Sequence, residues 1–385
     1  MNALWYYAIG FVIIWVIALV FKDKLVKYGV DVRFPTIMWK TKRLRGFLDR
    51  IANRSPTFWK WFMNIGIVIS FGAMIIMTYS LLSSLLTIAD TPSVSLVIPG
   101  VEVPGSPIFV PFAYGIIGLA TVIIVHEFAH GILARREKVS IKSIGLLLFA
   151  ILPGAFVEPD EEEIKNVKRS SRMRIYAAGS IANLSLALVA ILITLLISSF
   201  AIPATFQENG MEINRVLSGA PAENILKPGM IIESINGHDV SDVNSYYKAV
   251  STLKPGKMAN ITTNQGKYNF TAGTNPNNKS VGYMGVMVAK KLEVRHDVAN
   301  VYGNQLPWLW FSALELFSWI YLLNLAVGLF NILPMKPLDG GHLLEDLLSY
   351  RLSKKIVKPA IRLLSLFFIF VIAISLIWGI INGLF

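Results

Sequence analysis

The stretch His126-Glu127-Phe128-Ala129-His130 sets two imidazoles four residues apart with a carboxylate beside the first. On a helix, residues four apart lie about 40° apart around the axis, so both imidazoles can present nitrogen to one ion while Glu127 flanks the same face. That pattern is a signature of zinc-dependent hydrolysis. Two ligands do not complete such a centre, because catalytic zinc usually takes three protein ligands and leaves the fourth position for water. Cysteine is absent. Thiolate sites and disulfides are thereby excluded, and the missing ligand must be a histidine or a carboxylate.

One candidate stands far downstream, in Asn331-Ile332-Leu333-Pro334-Met335-Lys336-Pro337-Leu338-Asp339-Gly340-Gly341-His342. Its two prolines break a helix, and Asp339 is delivered beside a glycine pair that lets backbone approach closely. The elements carrying these residues are apolar. His126 to His130 end the run Ile108 to Leu133, and Asp339 follows another such run.

The chain has 385 residues, of which 54% are hydrophobic and 16% charged, and its mean hydropathy is +0.56. A soluble protein of this size would have difficulty burying that much apolar surface, so the class is a polytopic α-helical membrane protein. Six segments have the ~20-residue length that crosses hydrocarbon: about 3–21, 61–88, 108–134, 174–200, 306–333 and 361–384. The first has no basic residue before it and no small-residue cleavage site after it, which reads as a retained anchor.

A formal charge of +12 could suggest nucleic acid, but the distribution of the 36 Lys and Arg argues against it. Eleven lie in Lys22–Lys60, nine in Arg135–Arg174 and six in Lys336–Arg362, while the connector Asp90–Pro107 has none. Alternate loops are basic, which is the positive-inside pattern. The first, third and fifth connectors are therefore expected in the cytoplasm, with both termini outside. Residues 201–307 are expected outside too, since long domains translocate largely regardless of charge. By this count His130 and Asp339 both fall at cytoplasmic ends of their spans and share one depth.

The run Ile144 to Val157 is too short to span and contains Pro153-Gly154. It is expected to form a re-entrant hairpin or strand lining a cavity, turning at that dipeptide, with an interfacial loop as the plain alternative. The acidic cluster Glu158 and Asp160 to Glu163 reads as a solvated face. Between the fourth and fifth spans the composition becomes that of a water-soluble fold. Glu212–Leu217 alternates as a strand, Gly219-Ala220-Pro221-Ala222 turns, Gly229 to Gly237 reads as a strand entering a turn, and a helix follows at Val243–Leu253. Over 205–292 this order resembles a protease-associated PDZ domain, with Met230 where such domains usually carry Asp.

Taken together, His-Glu-x-x-His and Asn331-x-x-Pro334-x-x-x-Leu338-Asp339-Gly340 resemble the site-2 protease family of intramembrane metalloproteases. The resemblance continues at Pro153-Gly154-Ala155-Phe156-Val157 and at Ala178-Gly179-Ser180-Ile181-Ala182-Asn183, covering about 108 to 345. The Pro-Gly-Ala-Phe-Val string is closer to the branch of the animal sterol-pathway enzyme. Gly179-Ser180 stands where the family often has Gly-Pro, a departure not expected to affect the metal.

The resemblance implies zinc held by His126, His130 and Asp339, with Glu127 as general acid/base. It also implies substrate contacts at Asn331, Pro153, Gly154 and Phe156. The implied reaction is hydrolysis of peptide bonds within transmembrane segments of membrane proteins, after a first ectodomain cleavage. The implied layout is two helices with a basic loop in 1–90, a catalytic core in 108–200, the PDZ-like insert in 205–292, the Asp339 segment in 306–345 and a last helix in 361–384. Partners are the lipid bilayer, membrane-protein substrates and a carboxyl-terminal peptide at the PDZ-like groove, with no nucleic acid. The outer domain either filters untrimmed substrates or docks trimmed ones. Asn183 can bridge helices, His342 reads as structural, and Glu315 is either functional or snorkels to the interface. His238 and His296 read as surface residues. Two rivals stand beside this reading: a non-enzymatic scaffold using the PDZ-like domain, and another membrane zincin whose third ligand is a downstream Glu.

Overall fold

A computed structural model describes residues 3–87, 94–276 and 278–384. The chain divides into two compact units, Met1–Thr194 with Leu314–Phe385, and Leu195–Ala313. Residues 90–93 of the connector Asp90–Pro107 lie outside the described residues.

Among the described residues five helices are long and apolar enough to cross a membrane: Pro56–Leu86, Phe112–Arg136, Arg169–Thr205, Leu306–Phe330 and Lys354–Ile381. In hydrocarbon a helix satisfies its backbone groups internally, so these runs have no cheaper conformation. They fit a polytopic helical membrane protein. The expected span at 3–21 forms the helix Ala3–Val20, whose apolar stretch Tyr7–Val20 is too short to count with the other five. Eighteen residues at ~1.5 Å each rise about 27 Å, just under the ~30 Å of a hydrocarbon core.

The first unit also contains a four-stranded antiparallel sheet ordered β1-β2-β3-β4. Its strands are β1 Val30–Arg33, β2 Thr36–Thr41, β3 Ile141–Phe149 and β4 Leu152–Pro159. The expected hairpin within Ile144–Val157 is present, but its turn is not Pro153-Gly154. Phe149 pairs with Leu152, and Pro153 and Gly154 pair with Leu148 and Leu147 inside the ladder. The chain reverses at Ala150-Ile151, with Ala150 at φ 54°. Long-range contacts hold that reversal: Ala150 N–H donates to Pro35 O at 2.7 Å, and Trp15 Nε1 donates to Ala150 O at 2.8 Å. Pro153, lacking an N–H, is tolerated because β4 is an edge strand.

Behind the sheet, Leu48, Met63, Leu133, Ile175, Ile332 and Leu343 pack into one core. Gly131 brings the His-Glu helix against it, since an added Cβ would stand 2.7 Å from Leu48 and 3.0 Å from Val157. The acidic cluster is partly structural and not a merely solvated face. Asp160 caps the helix Glu161–Asn166 by accepting from Glu162 and Glu163 N–H, and Glu163 accepts Ser140 N–H at 2.6 Å.

In the second unit a sheet runs β12-β5-β6-β8-β9, with β7 paired to β6 and a small β10-β11 ladder apart. The strands are β5 Phe206–Val216, β6 Ile231–Ile235, β7 His238–Asp239, β8 Met258–Thr263, β9 Gly266–Thr271, β10 Gly273–Thr274, β11 Gly282–Tyr283 and β12 Val286–Val294. Its helix Val243–Val250 starts with a capping box between Asp242 and Ser245, which satisfies two orphan N–H groups. Ile213, Ile232, Ile235, Tyr246, Leu253 and Ile261 form its core. Met230 is buried there, and its sulfur accepts Lys227 N–H at 3.3 Å. His238 and His296 are exposed.

Candidate metal centre

The centre is assembled from three helices of the first unit. Phe112–Arg136 carries His126, Glu127 and His130, Arg169–Leu196 crosses beneath the imidazoles, and Asp339–Leu348 begins with the carboxylate. Pro334 and Pro337 end the preceding apolar segment, and the glycine pair folds the chain back over it. An added Cβ on Gly340 would stand 2.0 Å from Ile332 O, and one on Gly341 2.5 Å from Met335 C. Gly340 N–H donates to Asn331 O at 2.8 Å. Only glycine permits that return, and it sets Asp339 over the histidines.

His126 Nε2 lies 3.4 Å and His130 Nε2 3.3 Å from Asp339 Oδ2, and the two Nε2 atoms are 3.2 Å apart. Among the described residues these three form the one His/carboxylate group that could hold a metal ion, their ligand atoms all within 4.8 Å of one another. The donor set suits zinc: two imidazoles and a carboxylate, with no thiolate. His130 Nδ1 donates to Ile175 O at 2.7 Å, which leaves its Nε2 lone pair facing Asp339 and the partner imidazole.

Gly179 is the cradle of the centre. A Cβ there would meet His130 Nε2 at 2.4 Å and His126 Cε1 and Nε2 at 2.6 Å. The neighbouring Ser180 is fully buried, and its Oγ reaches Asp339 Oδ2 at 3.4 Å. The Gly-Ser departure therefore sits in contact with a candidate ligand.

Glu127 accepts Val157 N–H at 3.0 Å through Oε2, which ties the acid to β4. Because Val157 points its N–H at the His-Glu helix and away from β3, Ala155 and Pro153 present their backbone groups the same way. Gly154 and Phe156 instead face β3. The Phe156 ring lies over Gly145, where an added Cβ would come within 2.6 Å of it, and Lys40 Nζ stands 6.0 Å from its centroid. A cavity of about 890 Å³ opens beside the centre, lined by His130, Asp339, Phe156, Tyr176, Lys336 and His342 among others. Asn331 lies close through its carbonyl, whereas Pro153 and Gly154 stand toward the hairpin tip.

Two polar clamps fix the frame. Arg172 binds the Asp346 carboxylate through Nε at 3.0 and 3.1 Å and Nη2 at 2.6 Å, joining the Arg169–Leu196 and Asp339–Leu348 helices. Along the same seam the Tyr176 and His342 rings stack at 5.0 Å. Burial and the Lys336 ammonium push the His342 pKa down. Glu137, 6% exposed, is held by Arg174 at 2.7 and 3.2 Å and by Arg136 at 2.6 Å. Glu315 is exposed on its helix. Sequence reasoning missed Gly179 as a contact residue, and the run of small residues from Ala177 to Ser180 was the available signal.

Residues 114–376 match the profile described as peptidase family M50, more than half of the chain. An uncharacterized protein of Methanocaldococcus jannaschii is 32% identical over 262 residues, covering 67% of this chain and 64% of that protein. A protein named membrane-bound transcription factor site-2 protease homolog, from Arabidopsis thaliana, is 24% identical over 141 residues, or 37% of this chain and 28% of that protein. The chain thus spans less than two thirds of the length of either relative.

Proposed function

Because the chain belongs to peptidase family M50, we propose that it is a zinc-dependent endopeptidase that hydrolyses peptide bonds within transmembrane segments of other membrane proteins, after a first ectodomain cleavage. The observation that carries this reading is the convergence of His126, His130 and Asp339 within 3.4 Å of one another, beside an acid held on an edge strand. His126 and His130 hold the ion through Nε2 and Asp339 through its carboxylate. Zinc, when bound, supplies Lewis acidity and makes water a nucleophile at neutral pH.

Glu127 does the proton work. Its Oε2 is engaged by Val157, so Oε1 is the oxygen free to accept a proton from the attacking water. Water oxygen adds to the scissile carbonyl carbon, the C–N bond breaks, and the proton held on Glu127 passes to the leaving nitrogen. A charged carboxylate at the bilayer centre costs at least ~2.5 kcal/mol. The Val157 bond and the polar cavity offset that cost.

A helical substrate hides its carbonyls, and unwinding it in lipid exposes groups that cost several kcal/mol each. The free edge of β4 can satisfy them by strand addition. With Val157 N–H committed to Glu127 and no N–H at Pro153, Ala155 supplies the outward donor for an incoming strand. Phe156, from the neighbouring position, faces the cavity that receives the substrate side chain.

The positive-inside count supports a cytoplasmic-side centre and an extracytoplasmic insert. A PDZ-like reading of that insert is supported by its edge strand β12, preceded by Gly285 at φ +76° packed against Ala220 of the Gly-Ala-Pro-Ala turn. The insert then either excludes untrimmed substrates or docks a new carboxyl terminus. Deleting 205–292 broadens cleavage to untrimmed substrates in the first case and weakens cleavage of trimmed ones in the second.

The decisive experiment is Glu127→Gln in the purified chain with a single-span substrate. Loss of an acid/base lowers the rate by about 10²–10⁴ while zinc stays bound. Full activity in that variant ends the reading.

A further inference from the structure

We propose that Asn183 is a positioning residue: its side-chain oxygen accepts the Nδ1–H of His126 and fixes that imidazole in the tautomer whose Nε2 is free to bind metal. This inference rests on the metalloprotease reading and adds a residue to it.

Asn183 is fully buried in the Arg169–Leu196 helix. Its amide lies 3.4 Å from His126 Nδ1, with Nδ2 as the facing atom. Its Oδ1 is buried without a hydrogen-bond partner among the described residues. A buried acceptor left unpaired costs about 1–3 kcal/mol. The two facts have one remedy. If His126 binds an ion through Nε2, its Nδ1 carries the proton, and an amide NH₂ facing it would set donor against donor. Turning the amide by 180° exchanges two atoms of nearly equal shape. Oδ1 then receives the Nδ1–H, and the orphaned acceptor disappears.

The other histidine has the same support in plain view. His130 Nδ1 donates to Ile175 O at 2.7 Å, and Ile175 lies on the same helix as Asn183. One helix therefore backs both imidazoles, with the Ile175 main-chain oxygen behind His130, and the Gly179 main chain together with the Asn183 amide behind His126. Gly328 makes room for this arrangement, since a Cβ there would stand 3.2 Å from Asn183 Cβ.

The test uses the full chain in detergent, comparing Asn183→Leu, which keeps the volume and removes the acceptor, with Asn183→Asp, which keeps an acceptor. Zinc affinity is read by chelator competition, the ligand field by cobalt(II) absorption, and folding by thermal unfolding. Loss of such an outer hydrogen bond typically weakens metal binding 10–100-fold. N183L is expected to show that loss with altered cobalt bands, and N183D to return close to wild type in both. A folded N183L that binds zinc like wild type overturns the proposal, and so does an N183D as weak as N183L. Independently of any variant, ¹⁵N spectra of the zinc-loaded wild type must show His126 protonated at Nδ1, and an unprotonated Nδ1 overturns the proposal. If wild type binds no zinc through His126 and Asp339, it is the metalloprotease reading that fails.

Discussion

Gly179→Ala isolates the fit between the crossing helix and the metal centre. One methyl group is added, 2.4 Å from His130 Nε2 and 2.6 Å from two atoms of His126. Carbon contacts settle near 3.5 Å, so the rings or the helix must give way by about 1 Å. Metal ligands tolerate errors of only about 0.2 Å. His130 cannot retreat freely, because its Nδ1 is held 2.7 Å from Ile175 O on the very helix that carries the new methyl. Overpacking of this kind costs about 1–3 kcal/mol. Expressed as lost zinc affinity, that is a rise in Kd of roughly 5- to 150-fold. The assay is zinc competition against a chromophoric chelator in detergent, with thermal unfolding as the check on folding. Gly118→Ala is the matched control in the His-Glu helix. Its Cβ also meets an atom at 2.6 Å, but that atom is the Cδ1 end of Leu323, which can swing aside. The expected result is weakened zinc in G179A and near wild-type zinc in G118A. A folded G179A with wild-type affinity would refute the argument that this helix defines the site.

Asp339→Ala should lose zinc from the purified chain, and near-normal metal content would point to a different third ligand. Ala155→Pro removes the outward donor of β4 without touching its ladder to β3; it should depress cleavage and leave zinc content unchanged, and undiminished cleavage would argue against strand addition. Arg174→Met leaves the buried Glu137 carboxylate with the Arg136 charge and the Ser171 hydroxyl, and breaking such a pair costs about 3–5 kcal/mol, read as a drop in unfolding midpoint. Burial raises the Glu137 pKa, but the bonds from Arg174 and Ser171 and the nearby guanidinium charges outweigh it and hold the group below its ordinary value. The stability from this clamp is therefore complete above the unfolded-state value near 4.5 and is lost as pH falls through the lower folded value. Glu137→Gln should flatten that acid limb, and an unchanged acid limb would count against the clamp.

The candidate site was legible where residues that could do chemistry lie close in sequence. His126 and His130 share a helix face by spacing alone, and the prolines and glycines around Asp339 announced a broken helix returning on itself. The hairpin was legible as an element but not at its turn. Pro153-Gly154 is the stronger turn signal in isolation, yet Trp15 and Pro35 capture the backbone of Ala150, and those contacts cross more than a hundred residues of chain. For the same reason Val30–Thr41 read only as part of a basic loop, although it supplies two of the four strands. Its strand character depends on the edge that β3 offers it. Asn183 was visible only as a buried amide in an apolar run, because its partner lies on another helix.

In the proposed mechanism, the hydrogen bond from Val157 to Glu127 makes the docking edge and the proton carrier a single mechanical part. Such a protease cannot tune affinity and turnover separately through this hairpin. A segment that pairs poorly with β4 leaves the strand slack and the acid misaimed, so it is bound weakly and cut slowly at once. Fidelity then comes from compounding two modest penalties on the same sequence, and loosening the hairpin to admit new substrates should lower the speed on all of them.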